Sequence, residues 1–246
     1  MAKHQFGLVG RNISYSFSKG YFSEKFQKLN LIDYSYENFD IQNIEEFRDF
    51  IKQNQTVSGL NVTIPYKETI LPYLDKLSKR AAEIGAVNTI KITKSGKLKG
   101  YNTDYLGFKK SLEPLLNSNH KKALILGTGG ASKAVAYALK QLGIPFLYVS
   151  RTPTGETISY HQLDEKSFKE FQIIVNCTPV GTFPNTHLYP DIPYEYFTKN
   201  HIAFDLIYNP EETMFLKKAK EKGAIIKNGL EMLALQAEKS WDIWGK

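Results

Sequence analysis

The chain has 246 residues, 42% hydrophobic and 23% charged, with a formal net charge of +7. Such a composition fits a globular protein of one large or two small domains, with ample material for a core. It excludes a helical membrane protein, since no apolar run approaches the ~20 residues of a span, and the scattered basic residues form no nucleic-acid motif.

The N-terminal "MAKHQFGLVGRN" lacks the apolar core and cleavage site of a signal peptide, so a cytoplasmic protein is expected. Gln5–Gly10 reads as a strand and Ser18–Leu29 as a helix, with Tyr21, Phe22, Phe26 and Leu29 near one face. "DYSYENFD" alternates as a strand, and Ile44–Ile51 is helical. In "GLNVTIPYKE", Leu60, Val62 and Ile64 alternate with Asn61 and Thr63, and Pro65 ends the strand just before Lys67. Helical turns, a glycine stop and a hairpin over Asn88–Tyr101 follow, with "SGK" as its turn. Leu106–Leu116 reads as a helix, and the polar "NSNHKK" marks a break.

Beyond the break, "ALILGTGGASKAVAYALKQLGIPFLYVSR" is a strand, a glycine turn, a helix and a second strand, which is a βαβ unit. "FQIIVNCT" and "HIAFDLIY" supply further apolar strands, Glu212–Glu221 a helix and "AIIKNG" a short strand. Cys177, the only cysteine, allows no intramolecular disulfide and reads as a small buried residue. In the last segment Leu230, Leu233, Ala234, Ala237, Trp241 and Trp244 recur at helical steps. The alternation implies an α/β fold with mainly parallel sheets. The five histidines show no ligand spacing, so no metal is expected. The basic surplus suits either anionic small ligands or plain solubility.

Two groups of residues carry chemistry. In "GTGGAS", Gly127 permits a tight turn, Gly129 lets the backbone approach a pyrophosphate, and the helix N-terminus offers N–H groups to phosphates. Ser132 replaces the usual third glycine, with Gly130 and Ala131 small enough to serve the helix–strand contact. The following strand ends at Ser150, Arg151 and Thr152 with no acid. An acid there would hold a ribose 2′-hydroxyl, whereas Arg151 can pair with a 2′-phosphate, which favours NADP(H). An ordinary surface arginine is the alternative.

The second group lies in the first hundred residues. Ser16 and Ser18, two apart in extended chain, would point the same way and could donate to a carboxylate; equally, Ser18 could cap the helix after it. Asn61 and Thr63 share a strand face, with Lys67 just past them. Asn88 and Thr89 open one strand, and Asn102, Thr103 and Asp104 follow another. Strand ends are where α/β proteins place ligands. A lysine held by an aspartate can protonate a carbonyl oxygen as hydride reaches the carbon, and neutral lysine can take that proton back.

"SYSFS", "GLNVTIPYK", "GAVNT", "GYNTDYLGF", "GTGGAS", "SRT", "DLIYNP" and "NGLEMLALQA" follow one another along nearly the whole chain. In this order the sequence resembles the shikimate dehydrogenase family. The resemblance implies NADPH-dependent reduction of 3-dehydroshikimate to shikimate, in aromatic amino-acid synthesis. It implies Lys67 and Asp104 as the catalytic pair. It implies substrate contacts from Ser16, Ser18, Thr63, Asn88, Tyr208 and Gln236. For the cofactor it implies Gly127, Thr128, Gly129, Gly130, Ala131, Ser150, Arg151, Thr152, Leu206 and Gly229. It further implies a discontinuous substrate domain, residues 1–107 with 229–246, around a Rossmann domain at 108–228. The expected partner is a small molecule, not nucleic acid or membrane, and the protein is expected to be a monomer or homodimer. Lys19 stands where the family commonly has proline, Ser150 where asparagine is common, and no second basic residue follows Arg151. A quinate-acting relative using NAD, or a non-catalytic ligand sensor, are the alternatives.

Overall fold

The computed structural model describes residues 4–14 and 16–245. The chain forms two compact units, one of Met1–Thr103 with Ala237–Lys246 and one of Asp104–Gln236.

The first unit contains β1 (His4–Gly10), α1 (Phe17–Lys28), β2 (Tyr34–Asp40), α2 (Phe47–Gln53), β3 (Val57–Val62), β4 (Lys76–Leu77), α3 (Lys79–Ile84), β5 (Thr89–Ile92) and β6 (Leu98–Tyr101). Its sheet runs in the order β2-β1-β3-β5-β6-β4. β2 and β3 are parallel to β1, β5 is antiparallel to β3 and β6, and β4 is parallel to β6. The sheet is therefore mixed, because the β5–β6 hairpin reverses the chain through the "SGK" turn. Strand alternation sorts the core into two faces. Phe6 and Leu8 pack with Phe22, Phe26, Tyr36 and Trp244, while Val9 packs with Leu60, Val62, Val87 and Ile90 on the other side.

The second unit contains α4 (Asp104–Leu112), β7 (Ala123–Leu126), α5 (Gly130–Gln141), β8 (Phe146–Ser150), β9 (Thr157–Ser159), α6 (Glu165–Glu170), β10 (Ile173–Asn176), β11 (Ile202–Asp205), α7 (Met214–Lys220) and β12 (Ile225–Lys227). α8 (Leu230–Gly245) begins in this unit and ends in the first. The sheet order is β12-β11-β10-β7-β8-β9, and every neighbouring pair is parallel. Helices cover both faces, so the strands read as continuous apolar runs. Ala123, Ile125, Ile173, Val175, Ile202 and Phe204 face α4 and α5, while Leu124, Leu126, Ile174 and Ala203 face α6 and α7. This is the doubly wound, Rossmann-type arrangement.

The helix expected over 106–116 ends instead at Leu112, and Pro114 sits in a short 3₁₀ turn, Glu113–Leu115. Proline lacks the N–H that would continue the α-helical ladder. α7 is shorter than 212–221, because Thr213 caps it by accepting the Leu216 N–H. Among the described residues no helix is long and apolar enough to cross a membrane, and no group of three or more His, Cys, Asp or Glu could hold a metal ion.

Candidate active site

In the first unit the turn after β3 presents Lys67. The Thr63 N–H donates to Val9 O at 2.9 Å, the Tyr66 N–H to Thr63 O at 2.9 Å, and the Val87 N–H to Lys67 O at 2.8 Å. The buried Tyr66 hydroxyl adds a bond to Ile41 O at 2.7 Å. Thr63 and Lys67 are half-buried, as residues facing a ligand would be.

Next to Val87 stands Asn88, whose carboxamide has a fixed orientation. The Thr103 N–H donates to Oδ1 at 2.7 Å, which identifies the oxygen end, and Nδ2 donates to Thr103 Oγ1 at 2.9 Å. Beneath it lies a buried cluster of polar side chains. The Tyr36 hydroxyl donates to Asn61 Oδ1 at 2.8 Å, and Asn61 Nδ2 donates to Asn88 O at 3.1 Å and Ser240 Oγ at 3.0 Å. Thr89 Oγ1 lies 2.8 Å from Ser240 Oγ and donates to Asn88 Oδ1 at 3.1 Å. Burial pushes the Tyr36 phenol far above its ordinary pKa, so it remains a donor. The Asn61 side chain is thus spent inside the unit, while Thr63, two positions on, is half-buried.

The paired serines are also corrected. Ser16, not Ser18, caps α1, accepting the Ser18 N–H at 3.1 Å. The helix begins between them at Phe17, so the extended geometry that would align their hydroxyls is absent. Ser18 is buried, with the Tyr36 phenol near it.

The remaining expected residues belong to the second unit, so Lys67 and Asp104 lie in different units. Asp104 opens α4 and is buried. One turn on, α4 meets α8 at Gly107: a Cβ there would collide with Met232 O and crowd Gln236. Gln236, likewise buried, donates to Leu233 O at 2.9 Å. Tyr208 is half-buried on the loop after β11.

The carboxyl ends of the parallel strands gather the other residues. The Gly127 N–H donates to Val149 O at 2.9 Å, which sets the glycine turn beside Ser150 and Arg151. Gly127 has φ +98°, and a Cβ on it would sit 3.0 Å from the Thr178 methyl. Gly129 is different: its φ is an ordinary −77°, and beyond itself and its two chain neighbours nothing lies within 4 Å of a Cβ built on it. The chain itself does not demand glycine there, while a pyrophosphate approaching the backbone would. α5 starts without a side-chain cap, and the Ser132 N–H donates back to Gly129 O at 2.9 Å, so a phosphate here would meet the N–H groups ahead of Ser132. Ser132 is fully buried, and its hydroxyl donates back to Gly129 O at 2.7 Å. Thr128 and Gly129 are exposed, and Ala131 is half-buried. The Ser150 hydroxyl braces the turn after β8 by accepting the Thr152 N–H at 3.3 Å, and Arg151 is exposed. These residues fit a dinucleotide cofactor.

Sequence reading missed the polar atoms at the ends of β10 and β11. Asn176, Asp205 and Thr213 are fully buried and bonded together. The available signal was an Asn and an Asp inside the apolar runs "IIVNCT" and "IAFDLI". Cys177 is beside them, and burial, aided by Asp205, pushes its thiol well above the ordinary range. A thiol held protonated is a poor nucleophile.

Residues 8–90 match the model of the shikimate dehydrogenase substrate binding domain. A curated relative from Clostridium botulinum (strain Hall), named shikimate dehydrogenase (NADP(+)), is 40% identical over 249 residues, covering 97% of this chain and 95% of its own. The chain belongs to the shikimate dehydrogenase family. The crystal structure of the Aquifex aeolicus shikimate dehydrogenase aligns with a TM-score of 0.87 at 36% identity, covering 98% of this chain and 92% of that one. The Thermus thermophilus enzyme, solved with NADP(H) and shikimate, aligns with a TM-score of 0.86 at 33% identity over 98% and 92% of the two chains.

Proposed function

We propose that the protein is an NADP-dependent oxidoreductase that interconverts 3-dehydroshikimate and shikimate. The observation that carries this reading is the 40% identity to a shikimate dehydrogenase (NADP(+)) across nearly all of both chains. The open approach to Gly129 and the exposed Arg151 support the cofactor half.

When bound, NADPH supplies the hydride that reduces the ketone. Lys67 donates the proton to the ketone oxygen, and in reverse its neutral amine removes the proton from the hydroxyl. Asp104 is assigned with it as the second catalytic residue. Ser16 and Ser18 hold the substrate carboxylate. Thr63, Asn88, Tyr208 and Gln236 contact the substrate. NADP would be held by Gly127, Thr128, Gly129, Gly130 and Ala131 at its pyrophosphate and by Ser150, Arg151 and Thr152 at its 2′-phosphate, with Leu206 and Gly229 as further contacts. The first unit acts as the substrate domain and the second as the cofactor domain, with boundaries at 103/104 and 236/237 rather than the expected 107/108 and 228/229. We take the enzyme to be cytoplasmic, with small anions as its ligands, and a monomer or homodimer.

The test follows absorbance of the reduced nicotinamide, with shikimate or quinate as substrate and NADP or NAD as cofactor. The highest kcat/KM should come from shikimate with NADP; higher kcat/KM for quinate with NAD would overturn the assignment. Arg151→Ala should raise KM for NADP more than KM for NAD, and equal effects would remove Arg151 from phosphate recognition.

A further inference from the structure

Asp205 closes β11 with no exposed surface. Among the described residues, no cation faces it. The groups that do are the Asn176 carboxamide, the Ile207 N–H, the Thr213 hydroxyl, the Cys177 thiol and the Tyr194 phenol. A buried carboxyl without a positive partner is unfavourable, so a chain that keeps one needs a reason.

The carboxyl joins three segments. Oδ1 accepts from Asn176 Nδ2 at 3.0 Å and from the Ile207 N–H at 3.0 Å. Oδ2 accepts from the Thr213 hydroxyl at 2.6 Å. Each segment reaches the glycine-turn end of the sheet. Asn176 Oδ1 accepts the Thr178 hydroxyl at 2.7 Å and its N–H at 3.1 Å, and the Thr178 methyl borders Gly127. The Leu206 N–H donates to Asn176 O at 3.0 Å, and Ile207 O accepts the Gly229 N–H at 3.0 Å. Thr213 caps α7.

We infer that Asp205 is a positioning residue for the nucleotide cofactor. It locks the turn at 176–180 and the segment 206–208 into one frame against the glycine turn, and Thr213 lets it hold that frame in either protonation state. The inference rests on the reading of this strand end as the cofactor site. As carboxylate, Asp205 accepts the Thr213 proton. As acid, it donates through Oδ2 to Thr213 Oγ1, and the two N–H bonds to Oδ1 persist. Burial lifts this carboxyl to about 7 against the pull of its three donors, so both forms occur near neutral pH.

Two variants separate the frame from the charge. Asp205→Asn keeps an acceptor for Asn176 and Ile207 and offers an N–H to Thr213, as the acid does. Asp205→Leu keeps the shape and has no acceptor. Calorimetric titration of the folded proteins with NADP+, at about pH 6 and about pH 8, should place the Asn variant within about 3-fold of wild type at both. The Leu variant should bind at least ~10-fold more weakly, as expected for stranded buried donors. In the ligand-free protein, amide exchange at Ile207 should quicken in the Leu variant only. A folded Leu variant with wild-type NADP+ affinity overturns the inference, as does an Asn variant as impaired as the Leu one. Should the Leu variant fail to fold, Asn176→Ala cuts only the tether to 176–180, and unchanged affinity there is equally decisive. A wild type that binds no NADP+ defeats the cofactor reading, and the inference falls with it.

Discussion

Lys67 owes its placement to main-chain bonds: Val9 anchors the strand end before it, and Val87 holds its own carbonyl. The turn itself is held by bonds that do not use the Lys67 side chain. Lys67→Ala should lower kcat by about 10²–10⁴-fold, the usual share of a general acid–base, while the shikimate dissociation constant changes far less. Unchanged turnover would take Lys67 out of the mechanism. Asp205 gives a prediction about pH. An unfolded chain loses the Asp proton near ~4, while the folded one keeps it up to about 7. Across that interval the unfolded state binds fewer protons, so the contribution of Asp205 to stability declines as pH rises, and it is flat on either side. Urea unfolding should then favour wild type over Asp205→Asn more at about pH 5 than at about pH 8. A difference independent of pH would mean that the carboxyl titrates alike in both states.

At the scale of elements, the contact of α4 with α8 depends on Gly107 having no side chain. Gly107→Ala should push the helices apart and cost about 1–3 kcal/mol, the usual range for overpacking, with a lower urea midpoint. An unchanged midpoint would show that α8 can move without cost. Most elements here were legible because their periods are strong. "ALIL", "IIVN" and "IAFD" can only be buried strands beside helices, and the 3.6-residue pattern of α8 is clear. β9 was not legible: "TIS" is short and half-polar, and only pairing with β8 makes it a strand. The start of α1 was misread, since both Ser16 and Ser18 have the chemistry of a cap and only backbone geometry separates them. The bond from Asn61 to Ser240 spans 179 positions, a distance over which no local pattern carries information.

At the scale of the whole molecule, the expected site residues fall into two sets. Ser16, Ser18, Thr63, Lys67 and Asn88 belong to the first unit, and Asp104, Tyr208, Gln236 and all the cofactor residues to the second. The motifs were readable from the sequence, but only resemblance suggested that the chain returns to its first domain. Amide exchange with each ligand alone should show two footprints. Shikimate should slow exchange around 16–18, 63–67 and 88, and NADP+ around 127–131 and 150–152. A shikimate footprint confined to the glycine turn would contradict the assignment.

The hydroxyl and amide cluster of Tyr36, Asn61, Thr89 and Ser240 also limits how this protein can be engineered. Thermostabilisation by filling an interior with aliphatic side chains would here strand carboxamides that have no water to turn to. Thr89→Val, nearly the same shape, would remove a link between Ser240 and Asn88, so a redesign for heat resistance should begin on the opposite face of the sheet, around Leu60 and Ile90.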